Sequence, residues 1–430
     1  MPQSEKNSQQ PRLWTPVFVA IIVLTFCMFI GNQGVNAGSA VYVNRLGGTA
    51  TLAGFGAAVF SVSAGVSRIV MGPLADIRGR LVVMSIGSII FLVGLVGPAM
   101  TATLDLFLFW RFVQGIGFAA STTAAATAAA DVLPVERLGE GIGYYGLGQA
   151  ISMSIGPVLA ITLVSTDPPE NLYWGLAVAA TLACVLCFIC RYEKHPEWLP
   201  ETSTYRTLSQ RRKAESAAQA KPKPEPARNR PKIIDSVIEP GALAGAIPMG
   251  ILSPVFGFTL FYAGLLGTQI GVGNAGLFFT MSAITMIAVR LASKRFMDRV
   301  PAIKIHTVAV IGAIIAYAMF IFIMNVDLDL GVRDALFYIA GIPYGLCPGL
   351  AIPINQTVAV KNSSEERWGA ANGMFMLLMD LGIGVASVVW GMTNDAFGFE
   401  FTMCCAGVLA LASIASALVC YPKADRRWRK

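Results

Sequence analysis

Twelve apolar blocks run through the chain, at about 14–38, 49–70, 82–102, 105–130, 140–164, 171–191, 238–264, 272–293, 304–325, 333–358, 368–392 and 398–421. Each is near the roughly 20 residues that a helix needs to cross about 30 Å of hydrocarbon. Only 13% of the residues are charged, against about 25% in a soluble protein. These blocks therefore read as membrane-spanning helices. The first follows a polar dozen, MPQSEKNSQQPR. It is longer than a signal-peptide core and no small-residue cleavage site precedes the next crossing, so it is expected to be retained.

Charge sets the orientation. With the N-terminus in the cytoplasm, the outside loops carry Arg45 and Arg333 as their only basic residues. The inside connections carry Arg78, Arg80, Arg137, Lys294, Arg295, Arg299, Lys361, Arg367 and the tail KADRRWRK. That bias places both termini in the cytoplasm. The net charge of +7 then reflects topology and contact with anionic headgroups, and no nucleic-acid partner is expected. All eight cysteines fall within the blocks, so there is no exposed disulfide framework. Cys184, Cys187 and Cys190 share a broad helix face, but without a His or carboxylate on that segment they read as packing residues and no metal is expected.

Between Glu193 and Asp235 the pattern breaks into RTLSQRRKAESAAQAKPKPEPARNRPK, whose Lys-Pro and Glu-Pro pairs resist helix and cannot bury a core. The portion from Gln210 to Ala220 has the makings of a short surface helix. The break divides the chain six blocks to six, and the halves repeat. Displaced by 230 positions, Leu106, Phe107, Gly115, Glu136, Arg137, Gly139 and Gly143 fall on Leu336, Phe337, Gly345, Glu366, Arg367, Gly369 and Gly373. Displaced by 222, Arg68 and Asp76 fall on Arg290 and Asp298. The expected fold is an all-α membrane protein of twelve transmembrane helices in two pseudo-symmetric six-helix bundles. The bundles are residues 1–192 and 238–430, joined by a basic, Pro-rich cytoplasmic linker at 193–237.

Two motifs carry a family resemblance. GPLADIRGR at 72–80 resembles the GxLaDxxGR signature of the major facilitator superfamily, and RFVQGIG at 111–117 resembles its RxxQGxG motif. Gly156 and Pro157 match part of a longer GxxxGPxxGG pattern found in proton-linked antiporters, with Ser152, Ala160 and Ile161 replacing the other glycines. GEGIGYYGLG in the fifth block also resembles bacterial efflux members. The resemblance covers essentially the whole chain.

A carrier that opens alternately to two sides needs a cytoplasmic end that latches and releases. Gly72 and Gly79 permit a tight turn there, and Arg80 or Arg78 is placed to pair with Asp131 or Glu136. Family resemblance implies that Asp76 and Arg80 stabilise the outward-facing state. Arg137, Asp298, Glu366 and Arg367 complete the expected cytoplasmic gate, and Gly156 with Pro157 is expected to bend the fifth helix.

Charges at membrane depth are costly and mark function. Arg111 and Asp380 each occur in one half only, their counterparts being Gly341 and Ala150. Arg111 either snorkels to the outer headgroups or faces the cavity, where the matched motif implies influence on a proton or an anionic substrate. Asp380 is the expected proton-coupling residue, with a static ion pair to Arg68 or Arg111 as the other reading. Asn32, Gln33, Asn36, Gln114, Gln149, Asn355 and Gln356 are amides at lipid depth. They serve either a substrate cavity, which the family lines with helices one, four, seven and ten, or hydrogen bonding between helices. Prolines at 240, 248 and 254, and at 343, 348 and 353, interrupt the seventh and tenth helices.

No Lys precedes a Ser or Thr anywhere, so a GxxxxGK[ST] phosphate loop is absent and ATP is not the energy source. His195 and His306 stand apart at segment edges, so no membrane enzyme is expected and no cofactor. The resemblance implies a monomeric secondary transporter in the cytoplasmic membrane of a bacterium, working by alternating access. Its partners are a small-molecule substrate, protons and the lipid bilayer. Proton-coupled efflux of small organic molecules leads; proton-coupled uptake, and a transport-inactive sensor or scaffold, stay open.

Overall fold

The computed structural model describes residues 12–134, 137–203, 205–207, 239–293, 300–363 and 368–428. Among these, twelve helical spans appear. The first half contains α1 (Pro16–Arg45), α2 (Ala50–Arg78), α3 (Arg80–Thr101), α4 (Phe107–Val132), α5 (Leu138–Val164) and α6 (Asn171–Cys187). The second contains α7 (Leu243–Gln269), α8 (Gly276–Ser293), α9 (Ala302–Asn325), α10 (Leu330–Lys361), α11 (368–397) and α12 (399–428). In α10 two helical pieces meet at Ala340, and Gly398, with φ +81°, breaks the backbone between α11 and α12.

Local chemistry sets the helix ends. Thr15 caps α1 by accepting from the Phe18 N–H at 3.2 Å, with Pro16 in the first turn where its missing N–H costs nothing. Thr49 caps α2 in the same way through Leu52. Gly79, at φ +98°, makes the turn from α2 to α3. Gly72, expected in that turn, lies inside α2: the helix runs six residues further, so one glycine suffices.

Outside, Val62, Val66 and Val70 form an exposed apolar stripe along α2, and Val178 and Val185 are exposed on α6. Such surface is stable against lipid and not against water. Inside, helices approach through glycine. A Cβ on Gly115 of α4 would stand 2.6 Å from the Phe60 carbonyl of α2, and a Cβ on Gly345 of α10 would stand 2.3 Å from the Ser282 carbonyl of α8. These two contacts correspond under the displacements of 230 and 222 read in the sequence. The internal repeat is therefore a repeat of packing.

The halves meet on the face opposite the chain ends. Asp395 of α11 reaches the start of α2, and Asn274, just before α8, donates to Thr162 of α5 at 3.1 Å. The expected linker does not begin as one. Residues 193–203 and 205–207 pack on the first half: Pro134 pairs with Ser203 as an antiparallel bridge, and Tyr205 packs edge-on to Tyr192 with centroids 5.4 Å apart. The suggested helix at 210–220 lies outside the described residues.

Candidate functional site

Arg111, one turn inside α4, is only 1% exposed. Its Nε donates to the Gly56 carbonyl at 3.1 Å, Nη1 to Gln114 Oε1 at 3.0 Å and Nη2 to Asn36 Oδ1 at 2.8 Å. The guanidinium also lies 4.7 Å from the centroid of the Phe60 ring, a cation–π contact. It therefore does not snorkel. Its direct hydrogen-bond partners are neutral, and together they tie α1, α2 and α4 into one polar cluster. Asn36 Nδ2 in turn reaches Asn32 Oδ1 at 3.5 Å.

Gln114 explains its own place in the motif. Pro98 inside α3 cannot donate to the Gly94 carbonyl one turn earlier. Gln114 Nε2 donates to that carbonyl at 2.8 Å, while its Oε1 accepts from Arg111. A proline-freed acceptor in one helix is thus satisfied by an amide from the next. Within α7 itself, the Ser253 hydroxyl satisfies the acceptor that Pro254 frees, donating to the Gly250 carbonyl at 2.9 Å.

Asp380 occupies a different environment. It is exposed on α11, with no hydrogen bond or ion pair of its own among those of the described residues. Arg68 of α2 is the basic group within electrostatic reach. Arg68 is itself exposed, lies 6.0 Å from the centroid of the Phe118 ring of α4, and acts on the buried Tyr145 of α5. Arg68 thus has neighbours on α4, α5 and α11. Asp380 and Arg68, one from each half, are thus within electrostatic reach of each other. Gln149 on α5 borders this region through Tyr145.

At the end of the bundle nearer the chain termini, Arg80 Nε lies 3.0 Å from Asp131 Oδ2 and the Tyr192 hydroxyl donates to the same oxygen at 3.1 Å. Glu193 accepts from the Arg80 N–H at 2.8 Å and from the Leu81 N–H at 3.3 Å, capping α3 where the helix dipole favours an anion. Burial, followed by the Asp131 and Glu193 carboxylates, pushes the Tyr192 phenol well above its ordinary value and keeps it a donor. Of the pairings left open by the sequence, Arg80 or Arg78 with Asp131 or Glu136, that of Arg80 with Asp131 is present. Glu193 and Tyr192 were not singled out, because nothing in a linker-like stretch signals that it folds back. Arg137 is half-buried at the start of α5. Glu136, Asp298, Glu366 and Arg367 lie outside the described residues, as does the side chain of Asp76.

The sequence profile of the Major Facilitator Superfamily matches residues 21–342. The chain belongs to this superfamily. It is a multi-pass membrane transporter of small molecules, not an enzyme. The staphylopine export protein of Staphylococcus aureus (strain Mu50 / ATCC 700699) is 22% identical over 92% of this chain and 93% of its own. The efflux pump radE of Floropilus chiversii is 24% identical over 36% of this chain, an alignment that spans only 29% of radE. Among solved structures, a D-xylose–proton symporter superposes with a TM-score of 0.66 at 14% identity, over 94% of this chain and 97% of that one. It shares the superfamily fold.

Within this superfamily fold, the remaining amides divide. Gln33 is buried in α1, where a Cβ on Gly156 of α5 would stand 3.0 Å from its side chain. Gly156 thus serves close packing of α5 on α1, and α5 continues as one helix through Pro157. Gln356 is half-buried on α10. Asn355 takes the hydrogen-bonding role. Its Nδ2 lies 3.0 Å from His306 Nδ1 and its Oδ1 accepts from the Tyr421 hydroxyl at 2.8 Å, while His306 Nε2 lies 3.2 Å from Ser413 Oγ.

His306 is therefore not the partnerless edge residue that the sequence suggested. It is fully buried one turn inside α9, joined to α10 and α12. The usable signal was two strongly polar residues at lipid depth, each needing a partner, although their separation in sequence hides the pairing. Asn355→Ala leaves the Tyr421 hydroxyl and a ring nitrogen of His306 unpaired. We expect a loss of roughly 1–3 kcal/mol, read as a lower thermal midpoint in detergent; an unchanged midpoint would remove the structural role given to Asn355.

Proposed function

We propose that this protein is a proton-coupled exporter of small organic molecules, working by alternating access in the cytoplasmic membrane of a bacterium. The observation that carries the reading is an exposed acid at membrane depth on α11, Asp380, with Arg68 of α2 in the other half within electrostatic reach. Ionised, the carboxylate draws Arg68 toward it; neutral, it does not. Proton loading therefore changes the attraction between α2 and α11, and that difference biases one arrangement of the halves over the other.

Export is the direction favoured by kinship to a staphylopine exporter along nearly the whole chain and by the partial antiporter pattern at Gly156 and Pro157. Both termini face the cytoplasm in this reading, residues 1–192 and 238–430 are the moving bodies, and the monomer is the working unit. Arg111 contributes by holding α1, α2 and α4 together. The cluster around Arg80 and Asp131 keeps the cytoplasmic end of the first half in shape.

Purified protein in vesicles, given candidate compounds and an imposed pH gradient, tests the proposal. Substrate and protons moving in opposite directions are expected. Movement in the same direction would replace export by uptake, and no flux with any compound would remove transport coupled to protons.

A further inference from the structure

The face opposite the chain ends is held shut by a clasp that uses a charge. Asp395, near the end of α11, accepts from the Ala50 N–H at 3.1 Å, the Thr51 N–H at 2.7 Å and the Thr51 hydroxyl at 2.5 Å. A carboxylate from the second half thus caps the first turn of α2 in the first half. The first N–H groups of a helix lack partners within it and carry the positive end of its dipole. One turn deeper towards the chain-end face, Tyr262 of α7 is fully buried and donates to the Ser387 carbonyl at 2.6 Å; its oxygen also lies 3.2 Å from the Ala50 carbonyl. Ser387 donates to the Gly54 carbonyl at 3.1 Å.

Glycines let the backbones come this near. A Cβ on Gly54 would stand 2.3 Å from the Ser387 carbonyl, and one on Gly391 would stand 2.7 Å from the Ala50 carbonyl. At the pseudo-symmetric junction, between α5 and α8, the described residues show the neutral bond from Asn274 to Thr162. The duplication supplies two junctions, and one of them has acquired an anion.

We propose that Asp395, backed by Tyr262, is the positioning element that sets the balance between the state closed on this face and the state open to it. The proposal rests on alternating access but on neither proton coupling nor export. The three hydrogen bonds of Asp395, and that of Ser387 to Gly54, cross between the halves and must break when α2 and α11 part on this side. Tyr262, held to Ser387 within the second half, meets the first half at the Ala50 carbonyl. Opening leaves the first amides of α2 without their carboxylate, so the clasp stabilises only the closed arrangement.

Hydrogen exchange on the full-length protein, without substrate, tests this. In Asp395→Ala, amides at 50–54 should exchange about tenfold faster, and peptides at the opposite end, covering 193–203, should become more protected as that end closes. Loss of a local cap alone would speed exchange at 50–54 and leave 193–203 unchanged, and that result would overturn the proposal. Tyr262→Phe, which removes one oxygen, should move both regions in the same directions by a smaller factor. Thr162→Val at the neutral junction should move neither by more than about twofold. An equal effect at both junctions would also overturn the role given to Asp395. Vesicle flux in the wild type is independent of these outcomes, so the failure of the clasp and the failure of transport are distinguishable.

Discussion

Asp380→Asn is expected to leave the protein folded and to lower pH-gradient-driven transport by about tenfold or more. The residue is exposed, so an amide there creates no buried unpaired group. What the substitution removes is the capacity to exist in two charge states. Arg68 then faces a permanently neutral partner, and a proton gradient has nothing on α11 to act upon. Exchange of substrate between the two sides without a gradient should survive better than gradient-driven accumulation. Flux measured in vesicles with and without a pH step separates these two quantities. Accumulation equal to the wild type would remove Asp380 from proton coupling, and Asp380→Glu, which keeps the carboxylate, should recover part of it.

Gly117→Val should be strongly damaging to stability. A Cβ at this position would stand 2.3 Å from the Phe91 nitrogen, 2.7 Å from the Phe91 Cα and 2.8 Å from the Gly87 carbonyl. All three are backbone atoms, which cannot rotate away as a flexible side chain would. The axes of α3 and α4 must separate, and the bonds that depend on their distance weaken with them. Those are the 2.8 Å contact between the Ser88 and Ser121 hydroxyls and the 2.8 Å bond from Gln114 to the Gly94 carbonyl. Overpacking alone costs about 1–3 kcal/mol, and the two bonds add to it. The thermal midpoint should fall sharply, or the protein should fail to accumulate. Gly407→Ala, where a Cβ meets nothing within 4 Å, should behave as the wild type. If both variants melt together, close approach of α3 and α4 is not what holds the first half.

The difference between these two glycines is invisible along the chain, and it shows where sequence reading ends. The twelve crossings were legible because length and apolarity are properties of a segment by itself. The pairing of Arg80 with Asp131 was legible because the motif brings one partner to the end of a helix and the next inside connection brings the other. Gln114 stood out as polar at lipid depth, but its task depends on Pro98, sixteen residues earlier, and on the register that places Gly94 opposite it. Asn355 and His306 are separated by 49 residues and pair only once α9 and α10 are packed. Nothing near Asp395 in the sequence signals its task, because the helix start that it caps lies in the other half of the chain. Spans follow from local composition; partners follow from which helices become neighbours.

The matching contacts of Gly115 and Gly345 have a consequence for how such a molecule diversifies. Both rest on a missing side chain meeting a main-chain carbonyl, so they carry no chemical identity and survive copying unchanged. A gene doubled in this way inherits its scaffolding twice over and its reactive groups only once. The spare copy is then at liberty to lose or acquire ionisable residues without disturbing the frame, which is how two look-alike bodies come to hold unlike charges at their shared seam.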